Sequence, residues 1–220
     1  RPLFMTDQSV INPAMPRPAS PTRRADILAA ARDAFNARGF AGARLDDIAR
    51  AVGVSKAALY LQFASKEALF EASVRELIER TLPEAIPADF AGQSATTLLR
   101  RFIAFAFERL ASTEMAFVPR VIIGEGMNFP ELARFYQDEV VNRILGVIEA
   151  VLRHGVEQGE FSCPDPALAR RSIAGGIVFG ALWKIVFEPA GGEPLDIAAM
   201  ARVHADTLLD GLLKRGELPA

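Results

Sequence analysis

The chain is poor in the residues that build disulfides and metal centres. Its 220 residues include one cysteine, Cys163, and two histidines, His154 and His204. A single cysteine excludes a disulfide within the chain and is typical of a reducing compartment. Because the histidines lie far apart, without clustered carboxylates or thiols, they do not predict a metal site. We expect no metal and no cofactor, and structural or surface roles for these three residues.

Long apolar runs and catalytic motifs are also missing. The longest apolar run, residues 173–187, contains three glycines and Lys184 and is too short to span a membrane. Residues 1–20 lack the apolar core of a secretory signal. The sequence has no glycine-rich phosphate loop and no Gly-x-Ser-x-Gly elbow, and the adjacent carboxylates of Asp46 and Asp47 point to different sides of a helix. These absences favour a soluble, cytoplasmic protein that is not an enzyme.

Charge is nearly balanced in sum but unevenly distributed along the chain. The formal net charge is -2. Residues 17–66 carry nine Lys or Arg and four Asp, whereas residues 67–220 carry fifteen Lys or Arg and twenty-two Asp or Glu. The basic charge therefore lies in the first third of the chain, which is where a nucleic-acid surface is expected.

The basic part contains two short amphipathic segments joined by a tight turn. In the first, apolar residues recur at the i, i+3, i+4, i+7 spacing of a helix, at Leu45, Ile48, Ala49 and Val52. Gly53 then allows a left-handed conformation, and Ser55 can cap the following helix. That helix, residues 56–63, begins with small residues and has polar groups around its rim, which suits a DNA major groove. The pattern predicts a helix-turn-helix.

The joint spacing of these motifs resembles the DNA-binding domain of the TetR/AcrR (tetracycline-repressor) family of bacterial transcriptional regulators. The similarity covers roughly residues 22–80 and rests on Ile48-Ala49, Gly53-Val54-Ser55, Leu59-Tyr60, Phe63 and Ser65-Lys66-Glu67-Ala68-Leu69. Two positions depart from the pattern: Arg44 replaces a capping Thr, and Gln62 replaces a frequent His. The segment EGMNFPELARFY, residues 125–136, also resembles a C-terminal subtype of the family. The resemblance implies an operator of double-stranded DNA, a homodimer and a small-molecule effector.

Chemistry suggests different roles for the candidate DNA-binding residues. We expect phosphate contacts from one group, Arg44, Lys56, Tyr60 and Lys66, of which Lys66 follows the family pattern. A second group, Ala57, Ala58 and Gln62, is placed for base edges or methyl groups, with Gln62 alternatively on the DNA backbone. Ser55, the predicted cap, completes the candidate interface.

We predict an all-α fold in three parts. Residues 1–20, rich in proline and without periodicity, form a disordered arm; residues 21–66 form the three-helix DNA-binding domain; residues 67–220 form a larger helical bundle for ligand binding and dimerisation. Outside the two short helices, the expected helices span about residues 21–38, 65–82, 94–112, 113–126, 129 to 155 or 158, 166–187 and 197–215. Gly176 and Gly180 lie one turn apart and should let another helix approach closely. In the family the last two helices pair with their copies in a second subunit.

Aromatic and Met side chains in the C-terminal part have two interpretations. At helical spacing most of them are core residues, yet the resemblance implies a ligand pocket among Phe102, Phe105, Phe117, Met127, Phe129, Tyr136, Phe179 and Trp183. Possible polar anchors are Arg109, Glu125, Tyr136 and Trp183. Such a pocket favours a mainly apolar effector.

The preferred hypothesis is a repressor that binds an inverted repeat as a homodimer and is released when an effector shifts helix 4. One alternative is a DNA-binding regulator without a small-molecule effector, controlled by a protein partner or by abundance. A weaker one is a helical enzyme or carrier with a vestigial N-terminal module.

Overall fold

The computed structural model describes residues 21–85, 90, 92–112, 115 and 117–213. These residues form helices and loops, without a strand in the described ranges and with one isolated bridge between Phe161 and Leu213. The prediction of an all-α fold is confirmed. The arm predicted at residues 1–20 and the end predicted for the last helix lie outside the described residues.

The helix-turn-helix forms as its sequence pattern predicts. The helices are α1 (Pro21–Gly42), α2 (Leu45–Ala51) and α3 (Lys56–Gln62). Gly53 has a φ of 67°, and the Ser55 hydroxyl accepts a hydrogen bond from the Ala58 amide at 3.1 Å. Arg44 precedes α2 without forming a side-chain cap.

Gly39 ends the first helical segment of α1, as predicted. Its φ of 71° and ψ of -178° break the helical path, and one further turn follows it. The positive φ favours glycine at this position.

Helix α4 spans Lys66–Ala85 and leads from the helix-turn-helix to the rest of the chain. The prediction that it ends before Pro83 is wrong. The helix continues for two residues beyond Pro83, to Ala85.

The C-terminal part consists of six further helices within the described ranges. They are α5 (Ala95–Ala111), α6 (Phe117–Glu125), α7 (Pro130–Tyr136), α8 (Asn142–Glu157), α9 (Pro166–Leu182) and α10 (Ile197–Leu212). A π-helical turn, Gln137–Val141, joins α7 to α8, and another, Trp183–Phe187, extends α9. The predicted helices at about 129–158 and 166–187 therefore exist as continuous runs with a π-helical turn in each.

The buried side chains form two cores. The first joins α1–α4 to α6 and α7, and its largest members are phenylalanines, here called the phenylalanine cluster: Phe35, Phe40, Phe70, Phe117 and Phe129. Ring centroids are 4.8 Å apart for Phe40 and Phe129 and 5.9 Å apart for Phe70 and Phe117, which are favourable aromatic distances. The second core joins α5, α8, α9 and α10. The first core thus crosses the predicted domain boundary at residues 66 and 67.

The two glycines of α9 permit close helix packing within the chain. An added Cβ would lie 2.2 Å from His204 Cε1 at Gly176 and 2.5 Å from Phe107 Cε1 at Gly180. The predicted close approach is confirmed, and the approaching elements are α10 and α5 of the same chain.

Glu160, after α8, holds the start of α5. Its carboxylate accepts hydrogen bonds from the Ser94 hydroxyl at 2.8 Å and from the amides of Ala95 and Thr96 at 2.8 and 3.1 Å. Burial by itself raises the pKa of Glu160, but the hydrogen bonds outweigh it, so the pKa lies below its ordinary value. The carboxylate therefore binds α5 best in its charged form.

Candidate nucleic-acid interface

Helix α3 buries one face and presents the other to solvent. Leu59 and Phe63 are buried in the first core, as predicted. Tyr60 and Leu61 are 45% and 77% exposed. Ala57 is exposed as well, whereas the candidates Ala58 and Gln62 are half-buried. The exposed face of α3 therefore combines small, aromatic and aliphatic groups, which suit close approach to base edges and methyl groups.

Leu61 was missed by the sequence reasoning. Residues 59 and 63 lie one helical turn apart on the buried face, so residue 61 lies on the opposite face. That geometry was available in the sequence and would have identified Leu61.

Several basic side chains near α3 already have acidic partners. Lys56 Nζ lies 2.9 Å from Asp46 Oδ1, and the hydrogen bond with Asp46 raises the pKa of Lys56. Asp47 pairs with Arg38 and, at 2.9 Å, with Arg50, and these hydrogen bonds lower the pKa of Asp47. A phosphate contact by Lys56 would therefore compete with the ion pair to Asp46.

Arg44 differs from these residues. It is exposed, and its guanidinium has no partner among the described residues. It can reach a phosphate without breaking an ion pair, which fits the predicted backbone contact.

Lys66 is engaged inside the protein. Its Nζ donates to the carbonyl oxygens of Phe40 at 2.7 Å and of Ala41 and Ala43 at 3.2 Å each. It also lies 4.6 Å from the centroid of the Phe40 ring. An ammonium has three N–H donors, so a phosphate would compete with contacts that fix the turn between α1 and α2.

Glu125, at the end of α6, binds the same turn from the other side. Its Oε1 accepts from the Phe40 amide at 2.6 Å and its Oε2 from the Ala41 amide at 2.7 Å; this pair of bonds is called the Glu125 clamp. A Cβ at residue 39 would lie 2.2 Å from Oε1, so Gly39 also makes room for the carboxylate. Arg120 adds a hydrogen bond from Nη1 to the Asn36 carbonyl at 2.8 Å.

The clamp corrects the suggestion that Glu125 is a polar anchor for a ligand. Both carboxylate oxygens already accept from backbone amides of the DNA-binding domain. The sequence reasoning did not detect this role, since the partners are 84 and 85 residues apart.

The candidate ligand residues are divided between the two cores and the surface. Phe117 and Phe129 belong to the phenylalanine cluster, and Tyr136 packs against the same core, where burial raises its pKa to about 12. Phe102 is buried in the second core. These side chains follow the ordinary rule that aromatics at helical spacing pack the interior.

The other candidates lie closer to the surface. Met127 is 98% exposed and therefore does not line an internal cavity. Phe179 is half-exposed, and its ring centroid is 6.2 Å from that of Trp183. Phe105 stacks beneath Arg109, whose Cζ lies 5.3 Å from the ring centroid.

Other polar residues show ordinary structural surroundings. Ring nitrogens of His154 and His204 lie 2.9 and 3.0 Å from the carbonyl oxygens of Gln93 and Ile173. Burial raises the pKa of the half-buried Cys163 thiol. In the described part of the chain, no three His, Cys, Asp or Glu side chains are grouped for a metal. The helices described there are all too short or too polar to cross a membrane.

Two family models match separate parts of the chain. The family model "Bacterial regulatory proteins, tetR family" matches residues 27–73, and "AefR-like transcriptional repressor, C-terminal domain" matches residues 97–210. The HTH-type transcriptional regulator UidR of Escherichia coli K12 is 30% identical over 181 residues, which cover 80% of this chain and 87% of UidR.

Two further similarities are local or structural. The regulator RutR of Escherichia coli K12 is 45% identical over 71 residues, which is 31% of this chain and 34% of RutR, so the match spans only about a third of that relative. The fatty acid degradation regulator FadR from Bacillus halodurans has a TM-score of 0.74 at 24% identity, covering 90% of this chain and 100% of FadR. At that identity the likeness concerns the fold.

Proposed function

The chain belongs to the TetR family of DNA-binding transcriptional regulators, which are not enzymes, and from this premise we propose that it is a repressor. It binds an inverted-repeat operator as a homodimer and is released by a mainly apolar small molecule. The family model that matches residues 97–210 is described as the C-terminal domain of a transcriptional repressor, which supports repression rather than activation.

The exposed face of α3 is the observation that carries the DNA-binding part of the proposal. Ala57 lets the helix approach the groove floor, and the methyl groups of Leu61 contact a thymine methyl or another base edge. Tyr60 and Arg44 contact phosphates, and Lys56 exchanges Asp46 for a phosphate on binding. Lys66 contributes by fixing the turn before α2.

A single α3 is too short for tight specific binding. Its seven residues span about 10 Å, so one copy covers only part of an operator. A twofold dimer places two copies in successive major grooves about 34–36 Å apart. Exposed apolar side chains on α9 and α10, at Val178, Phe179 and Val203, support a partner surface there.

One observation favours a second candidate function. The eight candidate ligand side chains are dispersed between two cores and the surface, as described above. A regulator controlled by a protein partner or by abundance would not need them to converge.

Selection of bound sequences from a random DNA pool, at stated salt, tests the proposal. We expect an inverted repeat with half-sites about one helical turn apart. Tyr60→Ala and Arg44→Ala should weaken binding to all sequences, whereas Leu61→Ala should change the preferred bases. Glu108→Ala, at an exposed residue on α5, is the control and should leave both unchanged. An unenriched pool, or Leu61→Ala with wild-type preferences, contradicts the proposal.

A further inference from the structure

An arginine from the first turn of α1 lies beside the end of α3. Arg24 is exposed, and its Cζ lies 5.0 Å from the centroid of the Phe63 ring. Phe63 directly follows α3 and is buried in the first core. Because a buried ring has a fixed place, its contact with the guanidinium keeps Arg24 at the C-terminal end of α3.

Nearby carboxylates do not neutralise Arg24. It lines a groove between α1 and α4 together with Glu76 and Glu79. Glu76 pairs with Arg32 at 2.6 Å, and neither Glu76 nor Glu79 forms an ion pair with Arg24. In the part of the chain that the structure describes, the Arg24 guanidinium has no hydrogen-bond acceptor. Its N–H donors are therefore available to an anion from outside the protein.

Cationic groups lie near both ends of α3. At its start Lys56 pairs with Asp46 in the first turn of α2, and Arg44 directly precedes that helix. Arg24 lies at the opposite end, beside Phe63. The seven residues of α3 span about 10 Å, whereas the major groove of DNA is about 12 Å wide. Cations beyond the ends of this helix are therefore suited to the phosphates that border the groove.

We propose that Arg24 is a further contact to a DNA phosphate and that Phe63 positions it. The inference rests on the proposed DNA-binding function and adds to it a contact from α1. A guanidinium can donate two parallel hydrogen bonds to one phosphate. Since the Phe63 ring already restrains Arg24, little conformational freedom is lost when the phosphate binds. Arg24 and Arg44 together hold α3 in the groove from its two ends without reading bases.

Arg24→Met tests the contact, because methionine keeps an unbranched apolar chain beside the ring and removes the charge. Operator affinity is measured by fluorescence anisotropy at several salt concentrations. We expect binding to weaken about two- to fivefold for each bound chain, in the same proportion for every sequence. The slope of log K against log salt should fall by about 0.9 for each bound chain. Arg24→Lys, which keeps the charge, should restore most of the slope.

Arg101→Met is the matched control. Arg101 is an exposed arginine on α5, outside the DNA-binding domain. The substitution removes the same charge from the chain, so an effect of net charge alone would appear in both variants. We expect Arg101→Met to keep the affinity and the salt slope of the wild type.

Phe63→Leu tests the positioning role of the ring. If Phe63 acts through Arg24, the double variant with Arg24→Met should lose less affinity than the product of the two separate fold-changes. Phe63→Met is a second variant in case Phe63→Leu does not fold. Independent effects in the double variant would overturn the role of Phe63.

Three outcomes would overturn the phosphate contact: a wild-type salt slope in Arg24→Met, an equal change of slope in Arg101→Met, or a change of preferred bases in Arg24→Met. A wild type that selects no sequence is a different result, since it refutes operator binding. The salt slopes on a duplex of unrelated sequence, at low salt, still decide whether Arg24 contacts a phosphate, because such contacts do not depend on base sequence.

Discussion

Removal of the Glu125 carboxylate should loosen the DNA-binding domain from α6. The clamp consists of two hydrogen bonds of 2.6 and 2.7 Å from backbone amides to a charged acceptor. Hydrogen bonds to charged groups are worth about 1.5–3 kcal/mol each. The Ala41 side of the clamp is exposed, and water can replace part of the interaction. We therefore expect Glu125→Ala to lower the free energy of unfolding by about 2–3 kcal/mol.

Glu125→Gln should have a smaller effect. The amide oxygen still accepts one hydrogen bond, but the NH2 group meets the other backbone N–H as a second donor. A loss of about 1–2 kcal/mol is expected. Glu108→Ala is the control, because Glu108 is exposed on α5 and has no side-chain partner among the described residues; its effect should stay within about 0.5 kcal/mol.

Urea unfolding at fixed protein concentration measures these differences, and hydrogen exchange locates them. A loss of 2–3 kcal/mol corresponds to a fall in Tm of about 4–12 °C for a chain of this length. The amides of Phe40 and Ala41 should exchange faster in Glu125→Ala than in the wild type. Unchanged exchange at these two amides, together with wild-type stability, would refute the assignment of the clamp.

Three other substitutions test separate parts of the structure. Asp46→Asn releases Lys56 and removes a negative charge near the DNA, so operator affinity should rise about two- to fivefold and the salt slope should steepen by about one; equal or weaker binding in a salt titration would contradict the ion-pair exchange. Gly155→Ala places a methyl group 2.2 Å from an aromatic ring carbon and should destabilise by about 1–3 kcal/mol. Gly146→Ala, its control, should stabilise by about 0.5–1 kcal/mol, and similar unfolding free energies for both would show that the ring relaxes freely. Glu160 has a lowered pKa, so its contribution to stability is present above its ordinary pKa of 4.5 and is lost as the pH falls through the lower folded value. The stability of Glu160→Gln should therefore fall less between pH 5 and 3 than that of the wild type, as acid unfolding followed by circular dichroism would show.

The features that the sequence predicted well depend on neighbours a few residues apart. The periodic apolar residues of α2, the positive φ of Gly53 and the Ser55 cap are all determined within about one helical turn. The continuous helical runs of the C-terminal part follow from the same short-range pattern. The two π-helical turns within them carry no comparable signal in the sequence.

The features that the sequence missed depend on distant partners. Lys66 and the Phe40 carbonyl that it binds are 26 residues apart in the sequence, and Glu125 and the Phe40 amide that it binds are 85 residues apart. Helical spacing indicated that Phe102 and Phe117 are buried, but it did not indicate that they belong to different cores. Pocket candidates chosen by residue type alone are therefore divided between the two cores and the surface.

The turn around Phe40 limits how this regulator can evolve by recombination. Its carbonyls bind Lys66, its amides bind Glu125, and its ring packs on Phe129, so residues 21–66 and the remainder of the chain share one network of contacts. A chimera that joins this helix-turn-helix to an unrelated regulatory domain would inherit only the first of these three contacts. Point mutations at Ala57 or Leu61 can change the operator preference with little loss of stability, because these exposed side chains pack in neither core.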